Sequence, residues 1–424
     1  MPVKLFSLCC ILSFVAAAPA QTLSSSSGAA LASDPRVLRA MNWLTTNVPW
    51  ITEEQVRITE IPAPPFKEAA RGSYLKRLLS SAGLRVSTDS VGNIVGLRPG
   101  LSSSEVVLVV AHLDTVFPAG TDVRVRRAGA RLIAPGITDN GAGLAALVAL
   151  ARAMQDARIK TRQTILFVAD VGEEGEGNLR GMRRLIETYR QRLRTVIAVD
   201  GSGTDFVTNA ALASRRFEVS FTGPGGHSWT DFGMPNPINA AGRAIARFIT
   251  LRVPDSPRTI FNVGEISGGT SVNSIPYRAS FKVDMRSEQE SEIDKIEAAL
   301  RAAVQSALEE ENAASRRNIV NAKLDVKIQT IGVRPGGELP EDSALLAVVR
   351  QADRIVGNRS RLERSSTDAN IPLSLGIPAI AIGAGGRSGG AHSLDEWYDP
   401  TGRELGLHRA LLILLGAAGL EPSP

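Results

Sequence analysis

The pattern that most constrains this chain is a short apolar run that ends on a charged or imidazole side chain. It occurs three times, in EVVLVVAHLDTV (Glu105 to Val116), QTILFVAD (Gln163 to Asp170) and TVIAVD (Thr195 to Asp200). Val106 to Val110 is apolar without alternation, which fits a strand covered on both faces. Turns and helical stretches follow: TDNGAG leads into a long apolar helix from near Ala142, GEEGEG at Gly172 to Gly177 precedes a helix near Gly181 to Gln191, and GSG follows Asp200. Strand, loop, helix in repetition predicts a mostly parallel α/β sheet flanked by helices. Ligands of open parallel sheets bind just outside the carboxyl ends of the strands. The polar residues at those ends are therefore the candidate site.

His112 and Asp114 stand two apart, so in an extended chain they share a face while Leu113 points back. A carboxylate beside an imidazole can accept its second N–H and make it a better metal ligand. The pair alone fits a strand end that meets water better than a metal site, because short motifs often arise by chance. The other strand ends decide the matter, because Asp139, Glu173, Glu174 and Asp200 fall at equivalent places. The chain has four histidines. Three of them, His112, His227 in GPGGHS and His392 in GGAHSLDEW, lie at a strand end or beside glycines, and His408 lies in the last helix, where a structural role is the default. Two imidazoles and several carboxylates suffice for two divalent cations bridged by one carboxylate.

With 424 residues the chain is long enough for two domains and a sizeable core. Lys4, the apolar run Leu5 to Ala18 and the small-residue site Ala18-Pro19-Ala20 read as a signal peptide cleaved after Ala20, and so predict a secreted or periplasmic protein. That run is too short for a membrane span, and no longer one is present, so no integral membrane segment is expected. Both cysteines, Cys9 and Cys10, fall within the signal. The mature chain then has no thiol, and a metal must be held by His, Asp and Glu, which suits zinc, with cobalt or manganese as alternatives. The net charge of +5 is carried by arginines scattered among acids with few aromatics, so no nucleic-acid partner is expected. Gly141-x-Gly143 lacks the third glycine of a dinucleotide fingerprint, which excludes a nicotinamide site.

Along the chain, residues 21–33 are expected to be a flexible segment and 34–213 the first part of a catalytic domain. Residues 214–330 change pattern to βαββαβ, which predicts an inserted ferredoxin-like domain, and 331–424 return to the first domain.

The motifs AHLDTV, TDNGAG, GEEGEG, AVDG, GGHS, SVNSIP and GAHSLDEW, in this order, resemble the co-catalytic di-zinc exopeptidases of peptidase family M20, and are closest to the peptidase T-like aminopeptidase branch. The resemblance implies one zinc on His112, Asp139 and Asp200 and another on Asp139, Glu174 and His392, with Asp139 bridging. It further implies that Asp114 orients His112, that Glu173 is the general base, and that a cis peptide follows Asp139. His227 would stabilise the developing oxyanion, often from the neighbouring subunit of a homodimer formed through the inserted lid. Asn273 and Arg286 would contact the substrate, Arg286 through a carboxylate. Asp at position 200 points among relatives to aminopeptidases and dipeptidases acting on short peptides. The alternative is an N-acyl-amino-acid deacylase or glutamate-type carboxypeptidase, and a non-catalytic binding protein would require lost ligands, all of which are present.

Overall fold

The computed structural model describes residues 26–315 and 322–422. The signal-peptide segment lies outside the described residues. Part of the stretch expected to be flexible is instead a helix, Ser26–Ser33, which packs on the helices Pro35–Thr46, Ala344–Val356 and Arg403–Ala418.

The larger domain is a nine-stranded sheet. Its parallel centre runs Gln163–Asp170, Ser102–His112, Leu193–Val199 and Ala379–Ile382, side by side in that order. Antiparallel strands flank it: Ile94–Arg98 and Arg85–Thr88 on one side, Phe206–Ala211 and then Gly337–Glu338 on the other. The strand Arg361–Ser365 also pairs with Phe206–Ala211, in parallel. Val106 to Leu113 are all buried, as an unalternating run requires. His112 pairs opposite Asp170 across the parallel ladder, so the carboxyl ends of neighbouring strands are level.

The helix Gly141–Asp156 is the most deeply packed element, with 13 of its 16 residues buried. Leu144, Leu147 and Leu150 are fully buried, each contributing roughly 1.5–3 kcal/mol relative to exposure. This is a central helix, covered by the helices Pro35–Thr46 and Val48–Thr59 and by Arg403–Ala418. Its amino end is capped by the Asn140 side chain, which accepts from Gly143 N at 3.0 Å. The same side chain donates to Val199 O at 2.9 Å. One asparagine thus ties the helix start to the strand that ends just before Asp200. A Cβ on Gly143 would stand 2.1 Å from Asn140 Oδ1 and 2.3 Å from Val199 O. The glycine spacing serves this close approach rather than a phosphate.

The smaller domain is a four-stranded antiparallel sheet in the order Thr259–Gly268, Arg278–Ser287, Ala213–Thr222, Asp325–Arg334. The helices Pro237–Phe248 and Glu290–Ala314 cover it. Its core is separate from that of the larger domain and includes Phe217, Phe221, Phe248 and Phe281. Element order and strand order are those of the split βαββαβ motif. No described helix is long and apolar enough to cross a membrane.

Candidate metal centre

The carboxyl ends of the parallel strands deliver His112 directly and Asp200 one residue past Val199. His392 arrives by a different route. A small sheet, Arg387–Gly389, Trp397–Asp399, Arg131–Ile133 and Arg126–Ala128, clamps the His392 loop against the turn that carries Asp139. Ala134 N donates to Glu396 O at 3.0 Å. The Glu396 carboxylate then accepts from Gly136 N at 3.1 Å, Thr138 N at 2.7 Å and Asp139 N at 3.0 Å. Glu396 therefore sets the backbone of Asp139 from the same loop that presents His392. The Asp139–Asn140 peptide is cis. His392 itself has φ +64°, a left-handed conformation that a non-glycine residue adopts at some cost.

The side chains meet in three overlapping triads, each with one atom per residue within 4.8 Å of the others: His112–Asp139–Asp200 and Asp139–Glu174–His392, which share Asp139, and His112–Glu173–Glu174. His112 Nε2 lies 3.0 Å from Asp139 Oδ1 and 3.7 Å from Asp200 Oδ1. His392 Nε2 lies 3.1 Å from Asp139 Oδ2 and 3.2 Å from Glu174 Oε1. The two oxygens of Asp139 thus face different imidazoles.

Asp114 is buried behind His112. The His112 Nδ1 is 3.1 Å from the Asp114 backbone oxygen and 3.8 Å from its carboxylate. That carboxylate accepts from Gly172 N at 2.9 Å, Glu173 N at 3.1 Å and Glu174 N at 2.8 Å. Asp114 therefore fixes the loop bearing Glu173 and Glu174, while its backbone oxygen faces the imidazole.

Charge in the cluster is strongly perturbed. Burial works against a proton on His112, but Asp139 and Asp200 outweigh it and hold the imidazole well above its usual range. Hydrogen bonds with Asp139 and Glu174 draw His392 up to about 10. Burial pushes Glu173 up to about 8 against the opposing charge of Arg334, and it also raises Glu174. Carboxylates gathered this closely demand compensating positive charge. The Asp139 Oδ1 atom is buried and, although 3.0 Å from His112 Nε2, has no contact with hydrogen-bond geometry. A set of imidazole nitrogens and carboxylate oxygens with one shared carboxylate and an orphaned buried oxygen fits two divalent cations.

Asp139, Glu173, Glu174, Asp200 and His392 line a cavity of about 780 Å³ shared with Arg216, Arg286 and Arg334 of the smaller domain. Arg216 and Arg286 both pair with Asp284, at 2.9 and 2.8 Å. Two guanidinium groups on one carboxylate leave that wall net positive. His227 and Asn273 do not line the cavity. They lie together in an exposed part of the smaller domain, where Gly226–His227 pairs with Ser274–Ile275 and Ser228 N donates to Asn273 O at 3.0 Å. His408 is structural, its Nε2 2.9 Å from Met41 O.

Three residues in the site carry little or no signal in the sequence, and one of them, Arg216, is an inward arginine of a strand with no motif around it. Glu396 follows His392 within GAHSLDEW, where an acid after the imidazole is a weak signal. Arg334, in a lone VRPGG, carries none. It is buried, and its Nη1 donates to Glu173 Oε1 at 2.9 Å.

The model of Peptidase family M20/M25/M40 matches residues 108–414. The chain is 24% identical over 356 residues to the protein YqjE of Bacillus subtilis (strain 168), covering 79% of this chain and 90% of that one. Among solved structures it is similar to aminopeptidase PepT from Bacillus cereus, with TM-score 0.65 and 21% identity over 88% of this chain and 99% of that one. It is also similar to the Bacillus subtilis protein YXEP, described as a dinuclear metal binding peptidase from the M20 family, with TM-score 0.62 and 15% identity over 88% and 98% of the two chains.

Proposed function

Because the chain belongs to Peptidase family M20/M25/M40, and is thereby a hydrolase of peptide or amide bonds, we propose that it is a di-zinc exopeptidase that removes amino-terminal residues from short peptides. The observation that carries this reading is the pair of triads sharing Asp139 at one cavity with Glu173. In it, His112, Asp139 and Asp200 would hold one ion, and Asp139, Glu174 and His392 the other. When bound, two such cations lower the pKa of a shared water and polarise the carbonyl under attack.

The chain's own groups do the rest. Glu173 takes the proton of the attacking water and returns it to the leaving amine. Its Oε1 accepts from Arg334 at 2.9 Å, and its Oε2 has no hydrogen-bond partner among the described residues. The net positive pair Arg216 and Arg286 holds a substrate carboxylate. The exposed His227 and Asn273 support a homodimer in which this part of the lid completes the site of a second copy; a monomer by sedimentation in the active enzyme would remove that part of the reading. The reading of residues 1–20 as a signal peptide supports export, and recovery of protein starting at Met1 from outside the cytoplasm would contradict cleavage there.

Hydrolysis of a panel of free-amino and N-acylated di- and tripeptides, with zinc or cobalt supplied, tests the function. The expected result is release of the amino-terminal residue from free-amino substrates. Cleavage confined to N-acyl substrates would replace the aminopeptidase reading with that of a deacylase.

A further inference from the structure

The loop that carries Glu173 and Glu174 is held from two sides. On one side Asp114 binds its backbone N–H groups. On the other it is gripped by the smaller domain. Arg216 Nη1 donates to Gly175 O at 2.8 Å, Lys282 Nζ pairs with Glu176 Oε1 at 3.2 Å, and Val333 N donates to Asn178 Oδ1 at 2.9 Å. The innermost contact is Arg334, the last residue of the edge strand Asp325–Arg334.

The Arg334 contacts are directional. Nη1 donates to Glu173 Oε1 at 2.9 Å and to Ser366 Oγ at 2.9 Å. Nη2 donates to the backbone oxygen of the same Glu173. One planar guanidinium thus holds both the carboxylate and the main chain of a single residue, and Ser366 of the larger domain holds the guanidinium. A glutamate side chain alone has three rotatable bonds, and an untethered one populates several staggered rotamers. Two donors in a fixed fork remove that freedom, which a point charge on a flexible lysine does not. The arrangement also leaves one carboxylate oxygen, Oε2, unengaged.

We infer that Arg334 is a positioning residue: it fixes Glu173 through Oε1, keeps Oε2 free for the reacting water, and so makes the placement of the lid set the aim of the general base. This rests on the reading of Glu173 as that base. Charge pairing and burial alone would need only one contact. The second donor, to the backbone of the same residue, and the tie to Ser366 are what aiming requires. A misplacement of about 1 Å at a reacting group can cost on the order of 100-fold in rate.

The test is a double-mutant cycle on Arg334 and Glu173 with metal content, melting temperature, kcat and KM read for each variant. Arg334→Met is expected to keep two metal ions and a KM within about 3-fold of wild type while kcat falls about 10–100-fold, and Arg334→Lys is expected to recover only part of that loss. In a Glu173→Gln background, Arg334→Met is expected to cause no further loss, because it acts through the group already removed. Should Arg334→Met fail to fold, the Arg334→Lys arm of the same cycle decides. Wild-type kcat in a folded Arg334 variant, beside an inactive Glu173→Ala, would overturn the inference and leave the base assignment standing. Multiplicative losses in the double variant would also overturn it, since Arg334 would then act elsewhere. Wild-type turnover in Glu173→Ala would instead remove the base itself, and the inference with it.

Discussion

Glu396 turns both carboxylate oxygens toward three backbone N–H groups, those of Gly136, Thr138 and Asp139. It touches no candidate ion ligand through that ligand's side chain. Its effect is on where Asp139 sits, and Asp139 is the residue both candidate ion sites share. Groups that orient metal ligands typically change affinity by 10- to 100-fold when lost. Glu396→Ala is therefore expected to raise the dissociation constant for zinc by about 10–100-fold, measured by competition with a chromophoric chelator. Unchanged zinc affinity would show that the turn at residues 136–139 holds its shape without the carboxylate. The same residue marks how far the sequence could be read. His112, Asp139, Glu174, Asp200 and His392 are legible because strand ends and glycine-flanked motifs expose them. Glu396 and Arg334 are not, because each acts on backbone or on another side chain across more than 150 residues of chain, and no local pattern records such a pairing.

At the scale of elements, the helix Gly141–Asp156 is the hinge between sequence and site. Its apolar, alanine-rich composition predicts a buried helix, and 13 buried residues agree. Its register is set by Gly143, where no Cβ fits between Asn140 Oδ1 and Val199 O. Gly143→Ala is expected to destabilise the protein by about 1–3 kcal/mol, the cost of overpacking a tight interior. It is also expected to weaken metal binding, because Asn140 and Asp139 are adjacent and Val199 precedes Asp200. Thermal melting with and without zinc separates the two effects, and a variant with wild-type melting and zinc response would show that the helix can retreat without disturbing the site. The parallel strands were readable from unalternating apolar runs. The small sheet that carries the His392 loop was not, since its strands Arg126–Ala128, Arg131–Ile133, Arg387–Gly389 and Trp397–Asp399 have three residues each, too few for any periodicity to register. The helix Ser26–Ser33 was also missed, because its serine-rich start resembles a linker and its stability comes from packing on three other helices.

At the scale of the whole molecule, two domains with separate cores meet over one cavity. The larger supplies the triads, and the smaller supplies Arg216, Arg286 and Arg334. The sequence shows the division clearly, since α/β repetition gives way to βαββαβ and then returns. It does not show that the smaller domain reaches the loop of Glu173, which depends on how the domains are set against each other. The family resemblance already allows His227 to act on a neighbouring subunit, but nothing in the sequence signals that Asn273 too stands apart from the cavity of its own chain. The triads sharing Asp139 together make up the proposed two-ion centre. The most direct measurement is the number of divalent ions bound per chain, by elemental analysis after chelation and reloading with zinc, in wild type and in Asp139→Ala. Wild type is expected to bind two equivalents, with activity restored on reloading, and Asp139→Ala to lose both. A wild-type protein that binds none, or that is fully active after chelation, would contradict a two-ion centre.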